Sequence, residues 1–188
     1  MKVSLIRHGK SEFTENKRIT CSDFANWVDK YNQRGIFNEK YYPDDTLKNI
    51  ETANIILTSD LVRSIESAKL LSPKVKTISY RLFRETELPY PFKFWGLRLK
   101  PNVWAVVLRC LWFCGVTKNC ESLKEAKKRA DRAAELLVEY AQEYNSVAVV
   151  GHGFFNLLIA KSLQNKGWSG QRKTSTKHWF STTYFQRK

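Results

Sequence analysis

The chain is short of acid. Eighteen Asp and Glu stand against 32 Lys and Arg, a formal charge of +14, so its long-range field favours anionic partners. Nucleic acid, phosphorylated metabolites and anionic lipid would all satisfy that field, and a solubilising surface would produce it too. Cysteine is also sparse. Cys21, Cys110, Cys114 and Cys120 form no C-x-x-C pair and have no histidine at ligand spacing, which argues against zinc or any other metal site. The start "MKVSLIRHG" has too short an apolar run for a signal peptide, and with the unpaired cysteines it implies a reducing, cytoplasmic setting. No apolar run reaches the ~20 residues of a transmembrane helix. Repeats, low-complexity tracts and linkers are missing as well, so residues 1–188 read as one domain. At 43% hydrophobic residues it can bury a core without disulfides.

What is present alternates. Short β-branched runs at Val3 to Ile6, Asn54 to Thr58, Val75 to Tyr80 and Val147 to Val150 are separated by segments of helical period. This predicts an α/β fold, a three-layer α/β/α sandwich with a mostly parallel central sheet. Helices are expected over "SDFANWVDKYNQRG", closed by Gly35, over Leu61 to Leu71 with Ser59 or Asp60 as cap, and after Gly153. A long one follows Asn119, where Leu123, Ala126, Ala130, Ala133, Leu137, Ala141 and Tyr144 make one stripe. Lys127, Lys128, Arg129 and Arg132 fall off that stripe and read as a wet face, so no specific nucleic-acid partner is expected. The tail "HWFSTTYFQRK" reads as a late edge strand.

Residues 88–120 stand apart as an insertion on the substrate side. They carry Trp95, Trp104 and Trp112 with Phe92, Phe94 and Phe113, suited to an apolar leaving group, a phosphorylated protein surface, a packed core or a dimer contact. Within them "PNVWAVVLRCLWFCG", residues 101–115, is apolar nearly all round. It is read as a helix buried in the core or in a homodimer, or else as a flap over the substrate or a peripheral membrane contact.

Histidine is scarce too, with three in the chain, and two of them end strands. "VSLIRHGKSE" stops an apolar run at Arg7, His8 and Gly9, and "SVAVVGHGFFN" stops another at Gly151, His152 and Gly153. In open α/β sheets ligands bind outside the carboxyl ends of the strands, so both imidazoles should share one crevice. The glycines would let backbone approach a ligand closely. Arg7 offers a planar guanidinium for two phosphoryl oxygens, and Arg63, in the first turn after the next strand, offers a second. The third histidine, His178, reads as a packed or surface residue.

"LIRHGKS", "LTSDLVRSIESA", "LFRETELP" and "VVGHG", in this order, resemble the signature of the histidine phosphatase superfamily, also called phosphoglycerate mutase-like. The resemblance implies His8 as the nucleophile that becomes phosphorylated, with Arg7, Arg63 and His152 gripping the phosphoryl oxygens and no cofactor or metal. Adjacent guanidinium groups should keep His8 unprotonated. A leaving alcohol needs a proton, and aligning "FRE" with the family pattern selects Glu85 as general acid, with Glu87 as the alternative. Ser11 and Thr14 fall where members place a small hydroxyl residue and a phosphate-touching asparagine. The implied activity is a metal-independent phosphomonoesterase acting on a phosphorylated metabolite or phosphoprotein. A phosphoglycerate-type mutase and a non-catalytic module binding phosphorylated or polyanionic ligands are the alternatives.

Overall fold

A computed structural model describes residues 1–90, 92, 96–171 and 174–186. Phe94 and Trp95 of the aromatic segment lie outside the described residues. Along the chain come β1 (Lys2–Arg7), α1 (Cys21–Gln33), α2 (Asp44–Glu51), β2 (Ile55–Thr58), α3 (Val62–Leu71), β3 (Thr77–Ser79) and a 3-10 turn at Arg81–Phe83. Then follow α4 (Pro101–Phe113), α5 (Leu123–Tyr144), β4 (Ser146–Gly151), α6 (Gly153–Asn165), β5 (Ser169–Gly170) and β6 (Ser181–Phe185).

The sheet order is β3-β2-β4-β1-β6-β5. β1 to β4 run parallel, while β6 is antiparallel to β1 and β5 to β6. Every residue of β4 is buried, as a central parallel strand covered on both faces requires. Val3, Leu5, Ile55, Leu57, Val147 and Val149 pack on one side with Ala133, Leu137, Phe155 and Ile159 of α5 and α6. The alternate residues Ile6, Ile56, Ala148 and Val150 pack on the other with Ile50 of α2 and Ala68 of α3. These are the three layers. A separate cluster joins α1 to α4 through Cys21, Phe24, Trp104 and Leu108.

The sequence misplaces several elements. β6 is an inner strand, because the two-residue β5 pairs outside it, and it begins at Ser181 rather than His178. β3 is shorter than 75–80: Thr77–Ser79 pair with Ile56–Thr58, and the bonds of Lys76 O with Ile56 N and of Tyr80 N with Thr58 O close the ladder at its two ends. α2 has eight residues, too few for a period to be legible. Neither Ser59 nor Asp60 is the N-cap of α3. Leu61 holds that position without a side-chain bond, because Asp60 is taken by Arg84 and Ser59 by His152. α1 begins at a capping box of Thr20 and Asp23, and α5 at one of Ser122 and Glu125.

Candidate active site

β1 and β4 are parallel neighbours with Arg7 opposite Gly151, and the next residue on each is a histidine. The His8 N–H still donates to Gly151 O at 3.0 Å. Neighbouring strands lie about 4.8 Å apart, and the rings of His8 and His152 meet edge-on with centroids 4.9 Å apart. Both residues are buried.

The hydrogen bonds set the tautomer of His8. Its Nδ1 lies 2.7 Å from Gly9 O, and a carbonyl can only accept, so Nδ1 carries the proton. Nε2 is then the lone-pair nitrogen, and Arg63 Nε donates to it at 3.2 Å. On the other ring, Nε2 of His152 is 2.7 Å from Ser59 Oγ, while Nδ1 is buried with no hydrogen-bond partner among the described residues. Ser59 Oγ also donates to Ser64 Oγ at 2.8 Å, and a hydroxyl has one proton to give; when Ser59 turns it to Nε2 instead, the proton of His152 sits on that orphaned Nδ1.

Both guanidinium groups come without an acid. Arg63 donates from Nη1 to Asn32 Oδ1 at 2.9 Å and lies over the Tyr31 ring at 4.6 Å, so α1 holds it from outside. Arg7 donates from Nη1 to Thr176 O, and its Nε is buried and unpartnered. Ion pairs among the described residues involve Arg84, Arg129 and Lys166, not these two. Arg63 is buried and Arg7 half-buried; cations so placed without counter-ions are costly, and with the unsatisfied Arg7 Nε and His152 Nδ1 they make a place for an anion with several oxygens.

The same surroundings keep the imidazoles neutral. Burial, then His152 and Arg63, push His8 well below the ordinary histidine pKa, against a smaller opposing pull from the Gly9 carbonyl. Burial, Arg63 and Arg7 push His152 the same way. A neutral ring with a free Nε2 pair is the nucleophilic form of histidine.

Glu85 lies at the amino end of α6. Its Oε1 accepts from Phe155 N and Thr86 N, each at 2.9 Å, and its Oε2 from Phe154 N at 3.0 Å. Helix amino ends leave such N–H groups unpaired and favour negative charge. The Glu85 charge opposes the burial-driven fall in the pKa of Arg7 and Arg63, placing the carboxylate within electrostatic reach of the crevice. Glu87 is exposed. Arg109 of α4 backs this loop, donating to Thr86 Oγ1 at 2.7 Å and to Thr86 O at 3.1 Å. Arg129 is no wet-face residue: its Nη1 donates to Leu82 O and Arg84 O, each at 2.8 Å, it pairs with Glu121, and its guanidinium stacks 3.7 Å from the Phe155 ring. Lys127, Lys128 and Arg132 are exposed.

The profile of the histidine phosphatase superfamily, branch 1, matches residues 3–184. The chain belongs to that superfamily. Solved structures of similar fold include a mycobacterial glucosyl-3-phosphoglycerate phosphatase, 17% identical, with a TM-score of 0.54 over 87% of this chain and 79% of that one. YhfR of Bacillus stearothermophilus is 14% identical, with a TM-score of 0.53 over 87% of this chain and 80% of that one. A candidate alpha-ribazole-5'-P phosphatase of Escherichia coli is 18% identical, with a TM-score of 0.52 over 86% and 79%. No curated protein sequence matches significantly.

Two positions that the superfamily resemblance marks have other surroundings among the described residues. Ser11 is buried in its own turn, where Oγ accepts from Phe13 N at 3.2 Å. Thr14 is exposed beside Glu12, Phe13, Glu15 and Arg34. Neither makes a hydrogen bond to the histidines or to Arg7 and Arg63. The three glycines, read from sequence as room for a ligand, make room for protein instead. A Cβ on Gly9 would lie 2.1 Å from the Trp179 ring, one on Gly151 2.7 Å from Asn156 Oδ1 and one on Gly153 3.3 Å from Arg7.

His178 is packed, and its neighbour is His8. Its ring stands 5.4 Å from that of His8, and its Nδ1 is 2.8 Å from His8 O, so it borders the crevice, which the sequence reading of a packed or surface residue did not foresee. The signal was available in principle: β6 runs antiparallel to β1, so whatever precedes β6 must lie at the carboxyl end of β1. Asn32, Tyr31, Ser59 and Thr176 were missed for want of any local motif. Among the described residues no group of three or more His, Cys, Asp or Glu is placed to hold a metal ion.

Proposed function

We propose that this chain is a cytoplasmic phosphomonoesterase that carries the phosphoryl group on His8 and needs no metal. The His8 Nε2 pair attacks phosphorus, an N–P bond forms, and the ester P–O bond breaks as Glu85 delivers a proton to the departing alcohol. The Glu85 carboxylate then takes a proton from a water that attacks the phosphohistidine. The N–P bond breaks, orthophosphate leaves, and Glu85 is protonated again.

One observation carries this reading: a buried histidine whose unprotonated Nε2 is held by Arg63, with a second imidazole edge-on beside it and two guanidinium groups that have no acid to pair with. Phosphoryl transfer through a loose transition state is accelerated chiefly by oriented cationic donors around the equatorial oxygens. Arg7, Arg63 and His152 Nδ1 would supply them. His152 donates to the oxygens, and Glu85, bound to the amino end of α6 beside it, serves as acid and base in preference to exposed Glu87. The unpaired cysteines suit a reducing compartment. Residues 88–120 form the substrate-side insertion of one domain, a reading supported by the contacts of Arg109 with Thr86.

The test is hydrolysis of an aryl phosphate in excess chelator, comparing His8→Ala with the parent. Activity in the parent and its loss in the variant are expected. A fully active variant, or absolute dependence on added divalent metal, would remove the proposal.

A further inference from the structure

Helix α4 is apolar on two faces, and the fold uses one. Trp104, Leu108 and Trp112 are buried, and the two indole N–H groups donate to Ile19 O at 2.8 Å and Glu121 O at 2.6 Å, which fixes the helix firmly. On the outer side Val103, Val106, Cys110 and Phe113 recur at helical spacing. Val103 is 41%, Val106 64% and Phe113 52% exposed, Cys110 and Cys114 are exposed too, and Leu97 just upstream is 44% exposed. A helix apolar all round is ordinarily covered, and a contiguous apolar stripe left in water marks an interaction surface.

The charge around the stripe identifies the cover. No Asp or Glu occurs between Glu87 and Glu121, whereas Arg98, Lys100 and Lys118 are exposed there. Two-fold self-association lays a patch on its own copy, which here would set cation against cation with no acid to pair them. An anionic bilayer complements both parts, acyl chains for the stripe and headgroups for the basic rim. No described helix is long and apolar enough to cross a membrane, so α4, about 20 Å long, would lie flat.

The stripe also adjoins the crevice. Phe113 and Trp112 meet the Phe154 ring edge-on, each with centroids 5.7 Å apart, and the Phe154 N–H is one of the donors holding Glu85. We propose that the outer face of α4 rests on an anionic membrane surface and that the crevice takes from it phosphate monoesters of amphiphilic alcohols. The substrate half rests on the phosphatase reading above. Hydrolysis there releases orthophosphate to water and leaves the alcohol in the bilayer.

Sedimentation with vesicles of phosphatidylcholine, with and without phosphatidylglycerol, tests the contact. Binding should require the anionic lipid and weaken with salt. Val106→Asp, at an exposed position outside the catalytic machinery, should weaken it by about tenfold or more while hydrolysing soluble aryl phosphate like the parent. Phosphatidic acid placed in the anionic vesicles should be hydrolysed by the parent and more slowly by the variant. No sedimentation with anionic vesicles overturns the contact, as does a parent dimer that Val106→Asp splits. A parent that binds vesicles and hydrolyses aryl phosphate but spares phosphatidic acid overturns the substrate half. Binding to vesicles with no turnover of any phosphate ester overturns the phosphatase reading and leaves the contact standing.

Discussion

His178 donates from Nδ1 to the carbonyl oxygen of His8 at 2.8 Å. The carbonyl can only accept, so the Nε2 of His178 keeps its lone pair, and burial with the nearby Arg7 lowers its pKa in favour of this neutral form. The donor fixes the backbone that carries His8, the proposed nucleophile. His178 is thus a positioning residue, and His178→Ala should lower kcat by about tenfold with a smaller effect on KM. His178→Asn, whose amide can replace the Nδ1 donor, should recover part of the loss. Equal damage by both substitutions would rule out the hydrogen bond as the cause.

Arg63→Lys should be nearly as harmful as Arg63→Ala. Lysine is a single-point donor and cannot reach His8 Nε2, Asn32 Oδ1 and a phosphoryl oxygen together, as the guanidinium fork does. Removing one preorganised donor of this kind costs about 10²–10³-fold in kcat. Steady-state kinetics on an aryl phosphate measure it, and a lysine variant at parental rate would contradict the assignment.

Glu85→Gln and Glu87→Gln separate the two acids. The first should lose about 10²–10⁴-fold, and more on an alkyl phosphate than on an aryl phosphate, whose departing phenoxide needs less protonation. Glu87→Gln should stay near the parent on both. The contrast between leaving groups distinguishes proton delivery from mere disturbance of the three N–H bonds to Glu85.

The pH dependence follows from the depressed histidines. His8 and His152 have folded pKa values well below 6.5, chiefly through burial, while in the unfolded chain they return to about 6.5. Between those values the unfolded state binds more protons, so stability rises with pH in that window and is fully present only above about 6.5. Cooling of the midpoint as pH falls below 6.5 should therefore begin above the carboxylate range, with a slope of up to about 1.4 kcal/mol per pH unit for each histidine. Phosphatase activity should hold level as pH drops through 6.5, because His8 stays neutral. Thermal melts and rate profiles from pH 5 to 8 check both.

Gly9→Ala probes the packing behind His8. Its Cβ would collide with the Trp179 ring, and Trp179 is fixed by a backbone bond to Arg7 O at 3.0 Å and by Thr46 Oγ1 on its own carbonyl at 2.6 Å. Trp179 already has φ +66°. Overpacking of this kind costs about 1–3 kcal/mol, to be read from denaturant midpoints, and activity should fall alongside as His178 is displaced.

The parts legible in the sequence share one property: the residue and its signal are local. His8 ends an apolar run between Arg7 and Gly9, His152 ends another between two glycines, and Arg63 follows a strand at a fixed offset, so strand direction alone sends them to one edge of the sheet. The periodicity of α5 was equally plain. His178 was not, because its place depends on β6 pairing with β1 from 170 residues away, a register that no local pattern encodes. Arg129 sits at a position off the apolar stripe of α5, where a solvated cation is the ordinary outcome, and only the carbonyls of a distant turn give it another use. Ser59 and Asp60 look like caps by composition, yet a buried imidazole and a neighbouring guanidinium compete better for their oxygens.

Arg129 has one more effect. Its guanidinium grips Leu82 and Arg84 on one side and Glu121 on the other, which are the two shores between which residues 88–120 depart and return. The excursion is thereby stapled at its root, and lengthening a loop whose ends are already joined adds little entropy cost. Changes within that excursion would then alter what docks beside the crevice while leaving the loop that carries Glu85 where it is.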